Sequence, residues 1–322
     1  MFSAFVGEAM TYFGKGFLLA VWMPVFFTSA AIGTTLLITV DKLDWTLWND
    51  LDKSQQIVVG FIALVAITTL SFFLHHLQVP ITRLFEGYWV DWPIVKRLKR
   101  YKKARYCARF HALEKTLSNL GNAASSDMTK LAWKTEIFLR QYPPKHIEGL
   151  PYDPMAYIMP TQLGNIYRSA ELYSLARYGL ESTLFWPHLI EVIPESFLQR
   201  LQDLKIAVDF WLLSSLLLML YAATTVISFI FLKTSAVLIL LFLMALLLSY
   251  GCYRTAITPA LAYGVLIRVA FDLYRRPLLE KLGCPLPATL SEEKKLWKHL
   301  QFFMYNGAPT DQFIKLLTTE QA

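Results

Sequence analysis

The sequence predicts an all-α membrane protein with four transmembrane helices in two hairpins and a helical cytosolic region. Three observations predict it. Of the 322 residues, 55% are apolar and 17% charged, with a mean hydropathy of +0.39, whereas soluble domains run near 45–50% and about 25%. Four apolar stretches, residues 17–40, 57–77, 210–232 and 236–253, each approach or exceed the roughly 20 helical residues that a hydrocarbon core of ~30 Å requires. The loops between them differ in charge, which orients the chain.

The N-terminal segment, residues 1–16, carries neither an early basic region nor an A-x-A cleavage site, so it is expected to be retained. Pro24 predicts an irregularity in the first span, because it lacks an amide donor and its ring crowds the preceding turn. Residues 41–56 set Asp41, Asp44, Asp50 and Asp52 against Lys42 and Lys53, a net of 2 − 4 = −2. Residues 78–115 set ten Lys or Arg against Glu86, Asp91 and Glu114, a net of 10 − 3 = +7. The positive side faces the cytosol. This places residues 78–205, the N-terminus and the tail 259–322 there, with hairpins at 17–77 and 206–258. The tail's Arg268, Arg275, Arg276 and Lys281 agree, and the expected location is the bacterial cytoplasmic membrane.

Between the hairpins, Tyr106, Phe110, Leu113, Leu117 and Leu120 recur at helical spacing and stop at Gly121 and Asn122, predicting a helix after the basic run. Prolines in residues 142–160 predict an irregular crossover. Thr161 and Gly179 are the expected N-cap and stop of the next helix. Pro194 is placed to open a helix running into the third span. Only Lys233, Thr234 and Ser235 separate the last two spans, so these form a tight hairpin.

Several residue groups carry chemistry. The run KRLKRYKKAR supplies Lys96, Arg97, Lys99, Arg100, Lys102, Lys103 and Arg105 beside a span, a pattern that attracts anionic lipid and also fixes topology. Arg83 and Glu86 stand at i, i+3 after the second span, able to pair on a helix, next to Tyr88, Trp89 and Trp92 as interfacial anchors. Asn165, Arg168 and Glu171 step by three, forming a polar stripe that either locks the helix against a neighbour or binds a partner. Asp209 and Arg254 sit at the cytosolic ends of the third and fourth spans, where ionisable side chains reach for the interface.

Other chemistries find no pattern. Cys107, Cys252 and Cys284 are far apart and odd in number, indicating neither a disulfide framework nor a zinc site. His75 and His76 are adjacent, so they point in different directions on a helix. GxGxxG, Walker A, GxSxG and HExxH are all missing from the sequence, and carboxylates such as Asp127 and Glu136 lack evident partners. No catalytic residue, cofactor or metal follows, and no nucleic-acid partner is expected.

The segments RLFEGYW, PTQLGNIYRSAE, RYG, FWPHL and FDLYRRPLLEKLG resemble a family of uncharacterised bacterial integral membrane proteins that carry PTxLGN followed by RYG and WP. The likeness covers about residues 83–283 and implies membrane integration without a known activity. Weaker and architectural is a similarity to bestrophin-type channels, carried by two hairpins around a cytosolic helical region and by the Arg83 and Glu86 spacing. The acidic C-terminal motif of those channels is missing here. Together these readings lead to an expected homo-oligomeric, channel-like or transport protein in contact with anionic membrane lipids. The alternative is a membrane-anchored adaptor or signalling effector that recruits a cytosolic protein partner.

Overall fold

A computed structural model describes residues 14–39, 51–121, 136, 138, 140–144, 147, 154–231 and 235–307. Residues 1–13, most of the acidic loop, Asn122, Asp127, the turn at Lys233 and Thr234 and the last residues of the tail lie outside the described residues, as does part of the proline-rich crossover. The described elements are helices, and four of them are long and apolar enough to cross a membrane.

In chain order they are α1 (Met23–Thr39), α2 (Lys53–His76), α3 (Gln78–Glu86), α4 (Pro93–Gly121), α5 (Gln162–Tyr178), α6 (Ser182–Ile190), α7 (Glu195–Phe231), α8 (Ala236–Lys281) and α9 (Leu290–Asn306). A short turn, Lys15–Phe17, and a π-helical stretch, Leu18–Trp22, precede α1. Pro24 follows closely on this π stretch, in which the Met23 amide donates to the Leu18 carbonyl five residues back. The wider turn accommodates the proline, whose ring would otherwise press on the carbonyl of Ala20.

Two boundaries differ from the sequence reading. Helix α4 begins at Pro93 and contains the basic run instead of following it. Proline at the first helical position costs no hydrogen bond, and a buried face centred on Phe110 holds the helix despite its repelling charges. Helix α8 carries the fourth span and runs on past that span's expected end near Tyr253, for 46 residues in all, to Lys281. At 1.5 Å per residue it is about 69 Å long, over twice the ~30 Å hydrocarbon thickness, so its C-terminal half, which holds Arg268, Asp272 and Arg275, extends well past a span.

The chain divides into two compact units, one comprising residues 1–84 and 203–259, the other 85–202 and 260–322. In the first unit, helices are joined by paired polar side chains within an apolar packing. The Trp22 indole donates to Thr68 Oγ1 at 3.2 Å, Thr35 and the Tyr221 hydroxyl meet at 2.8 Å, and Ser215 and Ser249 exchange hydroxyl-to-carbonyl bonds of 2.9 and 2.8 Å. Helix α2 starts on an Asp52–Gln55 capping box and turns Ile57, Phe61, Ile62 and Phe73, each at least 60% exposed, outward. An apolar face of that extent is stable against lipid, not water.

The second unit has its own core, in which Phe185, Leu189, Phe271, Leu279 and Trp297 are fully or almost fully buried. A smaller cluster joins Phe110, Tyr142 and Ile158. Gly264 of α8 lies against Ile166 and Ala170 of α5, where an added Cβ would sit 3.6 Å from each side chain, in ordinary contact.

Candidate functional site

The start of α5 is a clasp built from the PTQLGN residues. Thr161 caps the helix, accepting from the Gly164 amide at 3.0 Å, while its own hydroxyl donates to the Glu86 carbonyl at 2.8 Å. Asn165 is 1% exposed. Its amide group donates to the Met159 carbonyl at 2.9 Å and the Thr161 carbonyl at 2.7 Å, and its Oδ1 accepts from the Met159 amide at 2.8 Å. Gly164 presses on the Glu86 carbonyl, and Gly87, at φ +100°, presses on the Pro160 ring. One turn of helix thus fastens the chain on either side of it by satisfying buried backbone groups.

One to four turns further on, α5 carries one side of a polar network completed by α8 and α9. The Tyr173 hydroxyl donates to both oxygens of Asp272, at 2.9 and 3.0 Å, and the Tyr178 hydroxyl donates to Oδ1 at 2.5 Å. The Arg275 guanidinium lies 4.0 Å from the Tyr178 ring centre. Its Nε donates to Glu293 at 2.7 Å, and Nη1 donates to the Asp272 carbonyl. Glu293, 1% exposed, also accepts from the Trp297 indole at 3.4 Å. Arg177 lies 5.8 Å from the Tyr173 ring centre. The C-cap Gly179, at φ +70°, lets the chain turn immediately after Tyr178, and its Cα side rests on the Lys294 backbone.

Arg268 occupies the same network one helical turn before Asp272. Its Nη2 donates to Ser169 Oγ at 2.6 Å, and that hydroxyl passes a 2.6 Å bond to the Tyr142 carbonyl. Its buried Nε–H has no acceptor among the described residues. Burial, reinforced by the nearby Arg140 charge, pulls the Arg268 pKa down to about 10, so the side chain is still a cation at neutral pH. Burial and the bond to Asp272 push both the Tyr173 and Tyr178 phenols up. Phenols shifted in that direction are worse proton donors near neutral pH than free tyrosine. The arrangement ties α5, α8 and α9 together through hydrogen bonds to Asp272 and the Arg275–Glu293 ion pair.

The residues singled out from sequence fall in different places. Asn165 belongs to the clasp, whereas Arg168 and Glu171 pair with each other at 3.3 Å with side chains 34% and 39% exposed. The stripe that could lock the helix against a neighbour or bind a partner thus divides into one buried amide and one half-exposed ion pair. A 100° advance per residue moves Arg168 and Glu171 progressively away from the face that Asn165 shares with Ser169. Arg83 is exposed on α3, and Glu86 contributes its carbonyl to the clasp. Asp209 does not reach outward as expected: it is 7% exposed and held by Lys205 of the same helix at 2.5 and 2.7 Å. Arg254 is exposed. Of the basic run, Lys96, Arg97, Arg100 and Arg105 are exposed, Lys102 and Lys103 are half-buried, and Lys99 bridges to Asp91 at 3.3 Å.

Sequence reasoning missed Tyr173, Tyr178, Asp272 and Glu293, and read Arg268 and Arg275 only as topology charges. A signal was there. Arg268, Asp272 and Arg275 stand at i, i+4 and i+7, one face of a helix, in a chain segment otherwise rich in apolar residues. No family model matches the chain, nor does any curated protein or solved structure.

Proposed function

We propose that the protein is a four-span integral membrane protein of the bacterial cytoplasmic membrane, with both termini cytosolic and the spans in two hairpins, that acts as a membrane-anchored adaptor or effector. The observation that carries this reading is the division of polar chemistry between the two units. Polar side chains among the spans are engaged with each other or with their own helix backbone, as at Trp22–Thr68, Thr35–Tyr221 and Ser215–Ser249. The cross-braced tyrosines and arginines belong to the other unit, whose rigidity suits a surface presented to a cytosolic protein.

A homo-oligomeric channel is the second reading. It is favoured by the outward face of α2, where Thr69 is exposed among apolar residues and bonds only back to Val65, leaving that face available to neighbouring copies. Ion flux through liposomes containing the purified protein separates the two. The adaptor reading expects flux equal to that of empty liposomes under varied voltage and lipid, together with a stoichiometric cytosolic partner. Protein-dependent, saturable flux overturns it in favour of the channel.

A further inference from the structure

The first half of α4 carries an outward face that neither unit's core uses. Its buried side is centred on Phe110 with Tyr106, Cys107 and Leu113 around it. On a helical wheel of 100° per residue, Ile94, Leu98, Tyr101 and Arg105 fall within about 60° of one another, on the other side of the helix. Ile94 is 85% exposed, Tyr101 63% and Leu98 46%, and Trp92, just before the helix, is 70% exposed. Arg97 lies about 40° from the edge of this stripe on the same wheel and is exposed as well.

Exposed tryptophan, tyrosine and aliphatic side chains framed by arginines do not suit bulk water, and they do suit the boundary between headgroups and acyl chains. Fifteen residues lie between His76, the end of the second candidate span, and Trp92, and nine of them form α3, which advances only 1.5 Å per residue, so the connection from the span to the stripe is short. We propose that residues 92–105 form an interfacial helix that lies on the anionic phospholipid surface, inserting Trp92, Ile94, Leu98 and Tyr101 between headgroups whose phosphates pair with Arg97 and Arg105. This rests on the reading of the chain as a membrane protein. It goes beyond a topology signal, because positive charge alone fixes orientation without any outward apolar stripe.

The test uses the full chain, with its three cysteines replaced, in vesicles of phosphatidylcholine alone or mixed with phosphatidylglycerol. A fluorophore is attached at Ile94→Cys, or at Ile62→Cys on the outward face of α2. Shallow spin-labelled lipid should quench the Ile94 probe in the anionic vesicles about twofold or more beyond the neutral ones, with the excess removed by raised salt or by changing Lys96, Arg97, Arg100 and Arg105 to Gln. An Ile94 probe equally open to aqueous iodide in both vesicles, or quenched equally by both lipids, overturns the inference while deep quenching at Ile62 keeps the membrane reading intact. Failure of deep-labelled lipid to quench the Ile62 probe overturns the membrane reading itself.

Discussion

Gly164→Ala is expected to lower the melting temperature of the detergent-solubilised protein by about 6–12 °C, corresponding to roughly 3 kcal/mol at the few degrees per kcal/mol typical of a chain this size. A methyl group there overlaps the Glu86 carbonyl oxygen and comes within 2.8 Å of Met159 Cβ. The carbonyl cannot swing aside, because it already accepts from Thr161 at 2.8 Å. Relief would have to come from opening the clasp, which exposes the three bonds of Asn165. Gly264→Ala is the matched control. Its new methyl meets Ala170 and Ile166 at 3.6 Å, an ordinary contact, so the gain of helix propensity, about 1 kcal/mol, is retained. Melting curves of the two variants beside the parent should therefore move in opposite directions, and equal shifts would remove the clasp from the account.

Glu293→Ala is expected to cost about 3–5 kcal/mol, the usual penalty for leaving one partner of a buried ion pair without its countercharge. Glu293 is the carboxylate that holds Arg275, whose side chain is 16% exposed, and it is itself 2% exposed at the side chain. Its loss also takes the acceptor from the Trp297 indole in the middle of the second unit's core. The double change Arg275→Met with Glu293→Leu should recover most of the loss, since removing both charges removes the desolvation cost along with the attraction. Thermal unfolding of the single and double variants checks this. A double variant as unstable as Glu293→Ala would show that the arginine contributes through Tyr178 and the Asp272 carbonyl instead of through the pair.

How much of this was legible in the sequence depended on how local the cause is. The four apolar helices follow from composition over windows of about 20 residues, and the caps at Thr161 and Gly179 follow from single residue types with a geometric preference. The length of α8 did not follow, because the apolar run that marks the fourth span stops near Tyr253 and only packing around residues 260–281 makes the uninterrupted helix worthwhile. Helix α4 was misplaced for the opposite reason: its charges hid an apolar face that starts upstream of Tyr106. Asn165 stood out as polar in an apolar helix, yet its partners proved to be backbone groups within six residues. The cross-brace was the least legible part. Ser169 meets Arg268 and Tyr178 meets Asp272 across 99 and 94 residues, and no local period predicts which tyrosine will find which carboxylate.

The proposed orientation, with the second unit on the cytosolic side of the membrane, is tested most directly by labelling single cysteines in intact cells. With Cys107, Cys252 and Cys284 replaced, Ser54→Cys marks the N-terminal end of α2 and Lys115→Cys marks α4 of the second unit, both at exposed positions. A membrane-impermeant maleimide should label Ser54→Cys in intact spheroplasts and label Lys115→Cys only after the membrane is opened. Labelling of Lys115→Cys from outside intact spheroplasts would contradict the orientation, and labelling of neither position until lysis would contradict the membrane crossing.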